Sequence, residues 1–120
     1  MEEFGLDSKA AGATNLLLLE PQGYLDFLCL TSQAKVIVTD SGGLQEESTA
    51  LQVPCLTMRN TTERPITCTE GSGMLIGNSA ALLRDGLEQV ITGSYKQSRC
   101  PALWDGKAAS RIVSLLDSAL

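Results

Sequence analysis

Lys35-Val36-Ile37-Val38-Thr39-Asp40-Ser41-Gly42-Gly43-Leu44-Gln45-Glu46-Glu47 is the stretch whose reading decides the fold. Its first five residues form a short, continuous apolar run, the pattern of a strand buried on both faces. A hydroxyl and two glycines follow, and a segment of helical character then covers Gly43 to Leu51, with Leu44, Ser48 and Leu51 on one stripe. Such a strand–glycine–helix junction holds anions well. Free backbone N–H groups at a helix N-terminus point toward a ligand, and the helix dipole favours negative charge there. The same residues equally describe a tight turn with Ser41 as a plain N-cap. The stretch has neither the lysine of a Walker loop nor G-x-G-x-x-G spacing, so neither nucleotide fingerprint applies.

Working outward, three more apolar runs are each followed by punctuation: Asn15 to Leu19, Val53 to Met58, and Met74 to Ile76. Helical segments are expected at Gly23 to Ser32, Ala80 to Ile91 and Asp105 to Leu120, the last two with apolar residues at i, i+4 and i+8 spacing. Strand–helix alternation at this spacing predicts βαβ units, hence an α/β, three-layer Rossmann-like parallel sheet. Gly93 to Trp104 reads as a surface connection, and Gly71-Ser72-Gly73 as a turn into the last strand.

Ligands of open parallel sheets sit at the carboxyl ends of the strands. Arg59-Asn60-Thr61-Thr62-Glu63-Arg64-Pro65 follows the third apolar run and should reach the same edge as Ser41. Arg59 and Arg64 fit a phosphate or carboxylate clamp, or, with Glu63, a structural ion-pair network. Glu46 and Glu47 fit either a complement to the helix dipole or an acceptor for sugar hydroxyls. Tyr24 and Phe27 fall at i and i+3 of a helix, either as core or with Phe27 stacking on a base.

The net charge of −5 argues against binding nucleic acid or an anionic membrane through bulk charge. The chain has no histidine, which excludes Ser–His, Cys–His and His–metal chemistry. Its four cysteines form no C-x-x-C pair, so no metal site is expected. The acidic Met1-Glu2-Glu3 start is not that of a secretory signal, the longest apolar run is too short for a membrane span, and cytoplasmic, reduced thiols are expected.

Pro21 to Leu28, Thr39 to Glu47 and Pro54 to Pro65 together resemble the non-hydrolysing UDP-N-acetylglucosamine 2-epimerases, as do Glu70-Gly71 and Asp105 to Val113. The resemblance covers roughly residues 15 to 115. It implies a glycosyltransferase-B architecture and interconversion of UDP-N-acetylglucosamine and UDP-N-acetylmannosamine through elimination and re-addition of UDP. Carried over residue by residue, Ser41, Gly42 and Gly43 would hold the diphosphate, Glu47 the ribose hydroxyls, and Phe27 would pack on the uracil. Arg59, Glu63 and Arg64 would belong to the site's architecture.

On this resemblance residues 1–120 correspond to a partial C-terminal UDP-binding domain. The family's N-terminal domain and the opening part of its C-terminal domain have no counterpart here, and its acid/base carboxylates and substrate-contacting histidine fall in that part, so no catalytic residue is expected in this chain; no cofactor is expected either. Activity of the chain alone is therefore not expected; its partner would be UDP or a UDP-N-acetylhexosamine. Departures from the family pattern are Ile66 for glutamate, Ser48-Thr49 for Ala-Pro, and Gln52 for the glycine closing the helix. They favour an alternative, a non-catalytic oligomerisation or UDP-sugar-binding module. A glycosyltransferase half-domain shares the fold but not the Arg59 to Pro65 block. In the strand order 3-2-1-4-5-6, the first two runs would be strands 3 and 4 with nothing between them. A homo-oligomer, the missing domain or a rearranged sheet is expected to cover the unpaired edges.

Overall fold

The computed structural model describes residues 5–120. Helix α1 (Leu6–Ala11) and helix α2 (Tyr24–Ser32) precede strand β1 (Ile37–Thr39). Helix α3 (Gly42–Leu51), strand β2 (Cys55–Thr57), helix α4 (Ile66–Thr69) and strand β3 (Gly73–Leu75) complete the sheet region. Helices α5 (Ala80–Thr92) and α6 (Ala108–Ala119) follow. The strands pair in parallel in the order β1-β2-β3, with Ile37 beside Cys55 and Cys55 beside Gly73.

The central strand is buried at all three positions. In a parallel ladder, paired residues share a face. Cys68 of α4 lies against Gly73 and Thr49 of α3 against Gly71, so α3 and α4 cover the face of Cys55 and Gly73. On the opposite face Leu56 packs against Gly86 of α5, where a methyl group would approach Leu56 Cδ2 to 2.8 Å. The result is helix–sheet–helix, the three layers expected from the alternation. Edge strand β1 is covered on one side only: Ile37 is buried and Val38 is 43% exposed.

Two expectations fail. Asn15 to Leu19 does not form a strand; Leu16 to Leu19 have no regular secondary structure and are exposed and unpaired among the described residues. An apolar run becomes a strand only where a neighbour supplies ladder partners, and none joins the free edge of β1. The sheet is thus β1-β2-β3 alone. The buried stripe of α3 is also displaced: Gln45, Ser48 and Thr49 point inward, whereas Leu51 is exposed. This face is hydroxyl-lined, and Thr57, Thr67 and Ser72 are buried as well. An apolar search could not see it.

The 93–104 segment does more than connect. The Tyr95 hydroxyl donates to the Ser72 carbonyl at 2.7 Å, and Lys96 Nζ to the Cys68 carbonyl at 2.5 Å. Burial raises the Tyr95 pKa and lowers that of Lys96. Helix α6 begins where Arg111 grips Asp105 at 2.9 Å, a pairing that holds the Asp105 carboxyl at about 2. Its Ile112, Leu115 and Leu116 remain exposed.

Gln52 closes α3 in the left-handed region at φ 58°. Glycine occupies that conformation without steric cost. Its side chain donates to the Thr49 carbonyl and accepts from Ser98, which offsets part of the strain. Gln52→Gly is expected to raise stability by about 0.5 kcal/mol, a shift of ~2 °C in a thermal melt. A lower melting temperature would show that the side-chain contacts outweigh the backbone strain.

Candidate functional site

All three strands deliver their loops to one edge: β1 into Asp40-Ser41, β2 into Met58-Arg59 and β3 into Ile76-Gly77. The first loop is built around Ser41. Its N–H donates to Thr39 Oγ1 at 3.0 Å, and its Oγ caps α3 by accepting from the Leu44 N–H at 3.4 Å. Ser41 is therefore an N-cap, as the turn reading requires. The same geometry leaves the first N–H groups of a ten-residue helix facing the carboxyl edge of the sheet.

The second loop folds onto the first. A methyl group on Gly42 would lie 2.5 Å from Arg64 Nη1 and 3.1 Å from its Cζ, so the guanidinium rests directly on the glycine backbone. Only a residue without a side chain permits that approach. Arg64 Nε pairs with Glu46 Oε1 at 3.1 Å, and its Nη1 pairs with Glu63. Glu63 also pairs with Arg59 at 3.3 Å. The ion-pair reading of Arg59, Glu63 and Arg64 is thus the geometry found, with Glu46 as an added member. Glu46 above all raises the Arg64 pKa, so the guanidinium is charged at any ordinary pH. Hydrogen bonding to its own backbone N–H, and then the two arginines, lower the Glu63 carboxyl. Among the described residues, Arg64 Nη2 makes no hydrogen bond.

Beneath this network lies Gln45, wholly buried. Its Oε1 accepts from the Thr62 hydroxyl at 2.7 Å, and its Nε2 reaches the Ser41 carbonyl at 3.4 Å. Thr62 Oγ1 in turn accepts from the Arg64 N–H at 3.0 Å, while the Thr67 hydroxyl donates to the Arg64 carbonyl at 2.7 Å. Sequence reasoning passed over Gln45 and Thr62. The available signal was a polar residue at the inward position of a helix, three and four residues before Ser48 and Thr49.

The structure therefore brings Ser41, Gly42, Arg59, Glu63 and Arg64 into one cluster. Gly43 is exposed beside Ser41 Oγ, and Glu47 is half-buried on α3. Phe27 and Tyr24 are not core. Phe27 is 39% and Tyr24 64% exposed on α2, which packs against α3. Among the described residues no group of three or more metal-binding side chains is present, and no helix is long and apolar enough to cross a membrane.

The sequence profile of the family described as UDP-N-acetylglucosamine 2-epimerase matches residues 5–117. The UDP-N-acetylglucosamine 2-epimerase of Methanocaldococcus jannaschii is 39% identical over 116 residues, covering 97% of this chain and 31% of that protein. The Escherichia coli K12 enzyme is 39% identical over 106 residues, covering 85% of this chain and 28% of its own. The M. jannaschii structure superposes with a TM-score of 0.81 at 38% identity, over 98% of this chain and 32% of that one. A second structure of the M. jannaschii enzyme, in complex with UDP-GlcNAc and UDP, gives 0.77 at 37% identity with the same coverage. The chain spans about a third of the length of the curated relatives it matches.

Proposed function

The chain belongs to the UDP-N-acetylglucosamine 2-epimerase family, and on that premise we propose that it is the UDP-binding, C-terminal part of such an enzyme. The observation that carries this reading is the seating of the Arg64 guanidinium on Gly42, at the N-terminus of α3. A diphosphate placed against Ser41, Gly42 and Gly43 would meet backbone N–H groups, the helix dipole and the unpaired Arg64 Nη2. Arg59 and Glu63 would hold Arg64 in place. Glu47, one residue beyond the Glu46 that Arg64 engages, would accept the ribose hydroxyls. Phe27, half-exposed on the helix packed against α3, would lie against the uracil.

The family's reaction eliminates UDP from UDP-N-acetylglucosamine and adds it back to give UDP-N-acetylmannosamine. General acid–base groups are needed for proton removal and return, and these residues supply binding and charge stabilisation of the UDP leaving group only. The chain alone is accordingly a ligand-binding unit without turnover, acting in the cytoplasm. Its exposed Leu16 to Leu19 and the apolar face of α6 would be covered in the working protein by a second copy or by further domains. Those same faces favour the second reading, a non-catalytic oligomerisation module.

Calorimetric titration with UDP separates the two readings. Binding by the unaltered chain, weakened about tenfold by Ser41→Ala and by Glu47→Ala, is the expected result for groups hydrogen-bonding a charged ligand. No heat from the unaltered chain would leave the module reading in front. Conversion of UDP-N-acetylglucosamine by this chain alone would overturn the absence of turnover.

A further inference from the structure

We propose that Gln45 and Thr62 are positioning residues that lock the diphosphate loop to the loop carrying Arg64; this inference rests on the UDP-binding reading above. The two loops are separate in sequence, and each follows a different strand. One hydrogen-bonded path joins them: the Ser41 carbonyl, the Gln45 amide, the Thr62 hydroxyl and the Arg64 N–H. The Thr67 hydroxyl then fixes the Arg64 carbonyl, so both backbone polar groups of Arg64 are held. The guanidinium thereby starts from a fixed root, and it lies over Gly42.

Chemistry explains the choice of residues. A side-chain amide offers a donor and an acceptor on one planar group, so Gln45 can face a carbonyl on one loop and a hydroxyl on the other. A hydroxyl both donates and accepts, so Thr62 passes the connection on to a backbone N–H. A wholly buried amide gains nothing from solvent, which makes its partners obligatory. Loss of the Thr62 hydroxyl would orphan Gln45 Oε1 and the Arg64 N–H together. Arg64 would keep its ion pairs with Glu46 and Glu63, yet its nitrogen would no longer be aimed at the phosphate position.

The test uses Thr62, because it is only partly buried, valine preserves its shape and serine preserves its hydroxyl. Thr62→Val, which removes the hydroxyl, is expected to weaken UDP binding about tenfold. Thr62→Ser, which retains it, should stay within about twofold of the unaltered chain on the same grounds. Uridine, having no phosphate, should bind the three forms alike; a merely structural lesion would lower both ligands together and leave Thr62→Ser no better than Thr62→Val. Amide hydrogen exchange at Arg64, measured without ligand, should accelerate in Thr62→Val alone. Unchanged UDP affinity in Thr62→Val would overturn the proposal. If the unaltered chain fails to bind UDP, the binding reading falls, and the exchange measurement decides the coupling: an Arg64 amide equally protected in all three forms overturns it.

Discussion

Arg64→Ala is expected to weaken UDP binding about a hundredfold, more than any other single change at the site, because charge-assisted hydrogen bonds to a ligand rank among the strongest. The alteration has two components. It removes the cation seated on Gly42, and it leaves Glu46 without its partner and Glu63 paired with Arg59 alone. A diphosphate approaching Ser41 would then meet two carboxylates in place of one guanidinium. Arg64→Lys should fall between the two forms. An ammonium keeps the charge but lacks the planar fork that can face two carboxylates and still present a third nitrogen. The folded state should hardly notice, since exposed ion pairs contribute only ~0–1 kcal/mol. Titration with UDP beside a thermal melt separates these effects. Unaltered UDP affinity in Arg64→Ala would make the network a purely structural fixture.

The largest loss of stability is expected from Gly71→Ala. A methyl group there would lie 2.6 Å from the Thr67 carbonyl oxygen and 2.6 Å from Thr49 Cγ2, and closer still to Thr49 Oγ1. One of these neighbours is backbone and cannot rotate away, and the other belongs to a residue with no exposed surface. Overpacking of this kind costs about 3 kcal/mol, or ~10 °C in a melt. The strain would be felt in the sheet, because Ser72 next door accepts the Cys55 N–H that opens the β2–β3 ladder. Thr49→Ala introduced with Gly71→Ala should recover part of the loss by clearing two of the three collisions. A melt unchanged by Gly71→Ala would mean that α4 and β3 can separate freely.

How much of this was legible in the sequence depended on which physical signal each residue sends. The three parallel strands and four of the helices, α2, α3, α5 and α6, announce themselves through apolar runs, periodicity and punctuation, which are local properties; α1 carried no such signal. Asn15 to Leu19 sends the same signal and forms no strand, because pairing depends on a neighbour elsewhere in the fold. Helix α4 is only four residues long and too short to show a period. The Ser41 turn was readable as a helix start. That Arg64 approaches it, with Glu46 behind, was not readable, since contacts between loops depend on how the strands stack. Gln45 escaped for a related reason: a buried amide looks like surface polarity until its partners are known. Leu51 misled in the opposite sense, being apolar and outward.

The hydroxyl-lined layer beneath α3 bears on how this chain responds to cold. Exposing apolar surface on unfolding raises the heat capacity, whereas exposing polar surface lowers it. Here seven polar side chains are buried, against five apolar ones, among the described residues. The heat-capacity increment should therefore fall below the ~12–15 cal/mol/K per residue usual for globular proteins. A smaller increment flattens the curve of free energy against temperature. The chain would lose stability only slowly on cooling, and the lock between its two loops would hold over a correspondingly wide thermal range.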